Sequence, residues 1–202
     1  MHSLPEGGYD EPESTRARLL REAAHEFRRK GYAGSTTREI AAKLGLKKAS
    51  LYHHIDKKED LLYEICLDCL ATIKREVERA MRAAPTPLDR LHALVLTHVQ
   101  VGLAQQDAFA TLLLDIRYLS DERRDKVMLR HDAYEDLVRT AITTAQEAGA
   151  LRQDMSPRYL TLMLFGLLNW SAFWYHPGRA LTPEALGALF WQQFLNGASA
   201  PM

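Results

Sequence analysis

The chain has 202 residues, 47% of them apolar, with 26 Lys and Arg set against 26 Asp and Glu. That is enough to bury a proper core, which rules out a largely disordered chain, and one small domain of about 50 residues plus one larger domain accounts for it. The even charge hides an asymmetry: residues 14–58 hold 12 basic and 4 acidic side chains, whereas residues 59–202 hold 14 and 18, so a basic head sits on a mildly acidic body.

Residues 1–13, MHSLPEGGYDEPE, carry four acids and no Lys or Arg. Rich in Gly, Pro and Glu and without an apolar run, they are expected to form a flexible acidic arm and not a signal peptide. Residues 14–60 are expected to form a small helical domain whose second half is a helix-turn-helix. There Thr36 can cap a short helix and Glu39, three residues on, can return a bond to the cap's own N–H. Ile40, Ala41 and Leu44 give that helix a small apolar face. Gly45 then stands where a left-handed residue is needed, and Leu46 can fall back into the core. The next helix, Lys48 to Ile55, turns Leu51 and Ile55 inward and leaves Lys48, Ala49, Ser50, Tyr52, His53 and His54 outside. Such a face suits DNA: lysine and hydroxyls bond phosphate oxygens, and the small Ala49 permits approach to base edges in the major groove.

Residues 61–202 read as a larger body in which every long apolar pattern is helical, so the chain is expected to be all-α with about nine helices. From Lys57 to about Ala83, Leu62, Ile65, Cys66, Cys69, Ile73 and Val77 fall on one helix face. Thr86-Pro87 restarts a helix whose inner face carries Leu91, Leu94, Val95, His98, Val101 and Gly102. A break at Gln105 to Asp107 precedes Phe109, Leu112, Leu113 and Ile116. Ser120 or Asp121 opens a long helix running to Gly149, and Ser156-Pro157 and Thr182-Pro183 repeat the cap-then-proline signal for the last two helices, with Gly197 placed to end the second. Tyr159 to Gly178 holds no charged residue, but Thr161, Asn169, Ser171 and His176 dilute it, and it is expected to be buried against its own domain and a second subunit instead of crossing a membrane.

No enzyme, cofactor or metal chemistry is expected. Cys66-x-x-Cys69 lies inside a helix with no second pair, His53-His54 is not an i,i+4 metal pair, and no phosphate loop or nucleophile elbow is present. Polar and aromatic residues among the apolar ones of the body, His98, Asp115, Arg117, Tyr118, Tyr134, Asn169, Trp170, Trp174 and Tyr175, are each usually structural when taken singly but together can line an effector cavity.

Gly31, Tyr32, Thr36, Ile40, Ala41, Gly45, Ser50, Leu51, Tyr52, Lys58 and Leu61 resemble the DNA-binding domain of the TetR family of transcriptional regulators, over about Arg16 to Leu62. The resemblance implies phosphate contacts from Thr36, Tyr52 and Lys58, with Thr37 and His54 beside them, and base reading through Lys47, Lys48, Ala49, Ser50 and His53. It departs at Lys47, where a Ser or Thr cap is usual, and at Ile55, where Phe is usual. The resemblance further implies a cytoplasmic homodimer joined through the last two helices on a palindromic double-stranded DNA operator, with recognition helices roughly 34 Å apart. The C-terminal part, with its Trp-x-x-x-Trp-Tyr-x-Pro-Gly motif, is similar to members that govern fatty-acid, aromatic or sterol catabolism and answer to CoA thioesters. Ligand positions implied in that way are His98, Phe109, Leu113, Arg117, Tyr134, Trp170 and Trp174, with Arg117, Arg123, Arg124 and Arg130 the cations available for CoA phosphates. A repressor of an efflux pump that responds to small hydrophobic drugs is the alternative on the same fold.

Overall fold

The computed structural model describes residues 14–46, 55–179 and 181–198. Eight α-helices and one 3₁₀ turn make up the described residues, with no strand among them. They are α1 (Thr15–Lys30), α2 (Thr37–Lys43), α3 (Lys58–Ala83), α4 (Pro87–Ala104), α5 (Gln106–Asp115), the 3₁₀ turn Ile116–Tyr118, α6 (Asp121–Glu147), α7 (Pro157–Trp174) and α8 (Pro183–Ala198). None of the helices is long and apolar enough to cross a membrane.

Local chemistry sets most helix starts. Thr36 and Glu39 form the expected reciprocal cap of α2, and Gly45 follows with φ 67°. Thr86, Ser156 and Thr182 each accept a backbone N–H two or three residues on, just ahead of Pro87, Pro157 and Pro183. Gly149, at φ 73°, closes the long α6. Gly197 does not end α8: it lies inside a helix that continues to Ala198, with no left-handed φ.

A single apolar cluster runs from Leu19 of α1 to Ala198 of α8, so the head has no core of its own. The expected boundary near residue 60 falls in the first turn of α3, whose Leu61, Leu62 and Ile65 are buried beneath α1 while Ile73 and Val77 further along are buried in the body. Cys66 and Cys69 are free thiols within it, burial pushing Cys66 up to about 12 and Cys69 higher still.

Inside the head, one buried carboxylate clamps α1 to α2. Glu26 is fully buried, bonded by Arg29 at 3.0 Å and by Lys43 of α2, which also reaches Glu22 at 3.0 Å. The hydrogen bonds from Arg29 and Lys43 pull its pKa down to about 2, against the opposing effect of burial. Because the folded pKa lies below the ordinary 4.5, this contribution is complete above pH 4.5 and is lost as pH falls toward 2. Replacing Glu26 by Gln should therefore lower the unfolding free energy at pH 7 by about 2 kcal/mol in urea titrations, and the gap between the two proteins should close as the pH approaches 2. A constant gap across that range would sink the assignment.

Candidate DNA-binding and effector sites

The head is where the sequence places DNA contact. Lys47, Lys48, Ala49, Ser50, Tyr52, His53 and His54 lie outside the described residues, and what the structure offers is the scaffold on either side of them. Thr36 is exposed, its hydroxyl engaged in the cap, and Thr37 is half-buried at the first position of α2. Lys58, expected to touch a phosphate, is tied to the fold by two of its three protons. Its ammonium donates to the carbonyls of Tyr32 at 2.7 Å and Ser35 at 2.9 Å and lies 4.2 Å from the centre of the Tyr32 ring. Those carbonyls belong to the turn between α1 and α2; the Tyr32 carbonyl also accepts the Ser35 N–H at 3.2 Å, and the lysine supplies the donor for that of Ser35. Burial lowers its pKa, so Lys58 is a structural tie with one proton left over.

Most basic side chains of the head are likewise committed. Arg28, Arg29, Lys30, Lys43 and Lys57 are all in ion pairs, and Arg16 pairs with Glu64. Arg38, exposed on α2 immediately after Thr37, has no such partner among the described residues. Spacing on the sequence did not single it out, because its neighbours Arg28 to Lys30 look equally cationic until their partners are seen.

Three sets of contacts join head to body. Asp107, in the first turn of α5, accepts from His25 at 2.9 Å and Arg28 at 2.9 Å; Arg28 continues to the carbonyl of Ala172 near the end of α7. Gln106 donates to Ala172 and Tyr175 carbonyls, both at 2.9 Å. At the other end of α5, buried Asp115 accepts the Tyr32 N–H, and Tyr118 stacks on Tyr32 with centroids 5.2 Å apart. Burial raises the Asp115 pKa. Finally Arg123 of α6 pairs with Asp60 at 2.7 Å, and the Ser120 N–H donates to Glu59 at 2.9 Å, holding the start of α3.

Of the expected effector positions, the structure brings three together. His98 of α4 shares a 2.8 Å hydrogen bond with the Tyr134 hydroxyl of α6 and meets Phe109 of α5 edge-on at 5.5 Å. Phe165 of α7, not among the expected positions, completes the cluster at 6.2 Å from His98 and 6.0 Å from Tyr134. The cluster is tight: a Cβ added at Gly102 would come within 3.2 Å of the Phe109 ring, so glycine is what lets that ring lie on α4. Burial lowers the His98 pKa to about 4, with Asn169 opposing, and raises that of Tyr134. At neutral pH both are uncharged, and the His98 Nε2 and Asn169 Oδ1 atoms are buried without a hydrogen-bond partner.

Leu113 is half-buried, whereas Arg117, Trp170 and Trp174 are not part of this cluster. Trp170 is 64% exposed and Trp174 43%, because α7 turns Leu160, Leu164, Phe165, Leu168 and Ala172 inward and its tryptophans fall on the opposite side. Arg117 is exposed beside Tyr118. Of the cations considered for CoA phosphates, Arg123 and Arg124 are paired with acids of α3 and α6, and Arg130 is solvent-exposed.

Two substitutions separate the roles in the head. Arg38→Ala should weaken binding to any duplex DNA and make the dependence of log affinity on log salt shallower by about one counterion, leaving thermal stability unchanged. Lys58→Met should cost about 1–2 kcal/mol of stability measured by denaturation, chiefly through the Ser35 carbonyl it leaves unpaired, since the Tyr32 carbonyl keeps the Ser35 N–H at 3.2 Å. A stable Lys58→Met protein would show that the tie contributes nothing.

Comparison with known proteins agrees with this geometry. Residues 19–65 match the model of the bacterial regulatory proteins of the tetR family, and residues 84–198 match the tetracyclin repressor-like C-terminal domain. The repressor KstR2 of Mycolicibacterium smegmatis is 27% identical over 196 residues, covering 93% of this chain and 92% of its own. The TetR family regulator PfmR of Thermus thermophilus superposes with a TM-score of 0.82 at 30% identity, over 89% of this chain and 97% of its own. AibR, solved in complex with isovaleryl coenzyme A and operator DNA, superposes with a TM-score of 0.80 at 25% identity, over 94% of this chain and all of its own. The chain is a transcriptional regulator and not an enzyme, and it belongs to the TetR family.

Proposed function

We propose that this protein is a homodimeric repressor of a catabolic operon, held on a palindromic operator and released by a CoA thioester of a hydrophobic acid. The observation that carries the effector class is the full-length likeness to AibR, whose structure contains isovaleryl coenzyme A and operator DNA. Likeness to the repressor KstR2 over nine-tenths of both chains supports the repressor reading. The buried His98, Tyr134, Phe109 and Phe165 cluster offers apolar walls with a few neutral polar atoms, a lining for an acyl group and its carbonyl.

Release follows from α5. The same short helix carries Phe109 in the aromatic cluster, Asp107 against α1 and Asp115 against the Tyr32 turn. An acyl group displacing Phe109 would shift α5 and, with it, both holds on the head. Binding and DNA then compete through one equilibrium, and a tenfold loss of operator affinity needs a preference of only about 1.4 kcal/mol for the displaced form.

The dimer reading rests on the outward side of α7. Tyr159, Leu162, Met163, Trp170 and Trp174 are exposed there at helical spacing, and Leu189 of α8 adds to them. Gly166 lies in the middle of that stripe, exposed, with open space where a Cβ would be. Nothing within the protomer requires glycine at a position where it costs about 1 kcal/mol of helix stability. Close approach of the partner's α7 does.

Thermal unfolding of the purified, delipidated protein against CoA thioesters of short, long, aromatic and ring-containing acids, with free CoA and free acids alongside, tests the effector. One thioester class should stabilise the protein by about 2.7 kcal/mol at a hundred times its dissociation constant. If none does, the thioester reading falls and the family assignment stands. For the dimer, Gly166→Leu should sediment as a folded monomer with much reduced operator affinity. A dimeric Gly166→Leu protein would place the interface elsewhere.

A further inference from the structure

A cleft of about 390 Å³ lies between head and body, well apart in composition from the His98 cluster. Its apolar walls are Leu20 and Ala24 of α1, Ile65 and Cys69 of α3, Leu103 of α4 and Ala108 of α5. That size is within the range of small-molecule sites.

The charged groups around it are unequal. Arg21 is already engaged. Asp107 is shared between His25 and Arg28. Asp68, on α3, makes no hydrogen bond or ion pair among the described residues. Beside it, Gln105 at the α4–α5 break donates its amide N–H to the Cys69 carbonyl at 3.4 Å. Apolar walls and a carboxylate with no partner among the described residues are the complement of a hydrophobic cation. A neutral molecule would desolvate Asp68 and return nothing, and an anion would be repelled by Asp68.

We infer that this cleft is a second ligand site, for a small hydrophobic monocation such as a lipophilic amine or quaternary onium ion, with Asp68 its counter-ion. The site goes beyond the acyl-CoA reading and does not depend on it. Its position gives it a regulatory consequence, since a molecule seated there touches α1, α3 and the first turn of α5 at once.

The test uses two ions of one shape and opposite charge, tetraphenylphosphonium and tetraphenylborate, titrated calorimetrically into the full-length protein. The phosphonium should bind once per protomer and raise the melting temperature, and the borate should bind at least about tenfold more weakly. Asp68→Asn, an exposed substitution that leaves the melting temperature of the free protein unchanged, should weaken phosphonium binding by about tenfold, and Asp68→Glu should restore most of it. Absence of phosphonium binding, equal affinity for the borate, or an Asp68→Asn protein that binds as before would each overturn the proposal.

Discussion

The last turn of a helix leaves backbone carbonyls without intrahelical donors, and at the end of α7 those carbonyls are satisfied by side chains from two other parts of the molecule. Ala172 accepts from Arg28 of α1 and from Gln106 of α5, and Tyr175 accepts from Gln106. Asp107, next to Gln106, holds Arg28 and His25 in turn. The DNA-binding head, the helix that touches the aromatic cluster and the helix that carries the exposed apolar stripe therefore meet at one polar knot. Exposed ion pairs are individually weak, but here the acceptors are backbone groups that must be bonded to something, so the knot is held by a requirement as well as by attraction.

Much of the architecture was legible because it depends on short-range chemistry. Thr36 with Glu39, Thr86-Pro87, Ser156-Pro157 and Thr182-Pro183 announce helix starts within a few residues of themselves, and each appears where it was read. Gly197 misled because glycine near a chain's last apolar residues resembles a cap, whereas here the helix simply runs past it. The sites were legible in part. His98, Phe109 and Tyr134 could be named as candidates from type and spacing, but which tryptophans joined them depended on the rotation of α7, and that is set by Leu160, Leu164, Phe165 and Leu168 packing inward. Lys58 and Arg38 show the same limit. A cation's role follows from which carbonyls and carboxylates fold up beside it, and those partners are 23 and 26 residues away in the case of Lys58.

The aromatic cluster of the body is neutral. His98 is held uncharged by burial and shares a hydrogen bond with Tyr134, which keeps its proton. A side chain that is polar but uncharged is what such a setting tolerates, because an ionised group there would have to be paired.

One apolar cluster extends from Leu19 to Ala198 without a seam. Regulators of this build are often treated as modular, a reader joined to a sensor, and the usual engineering step is to transplant one onto another. Here the reader's floor is the first two turns of α3, with Leu61, Leu62 and Ile65 beneath α1, and its latch is the first turn of α5. A graft cut at the end of the helix-turn-helix would separate Phe27 and Leu19 from the surface that covers them, so the smallest portable unit of specificity in this protein includes Gln106 and Asp107, far beyond the residues that face the DNA.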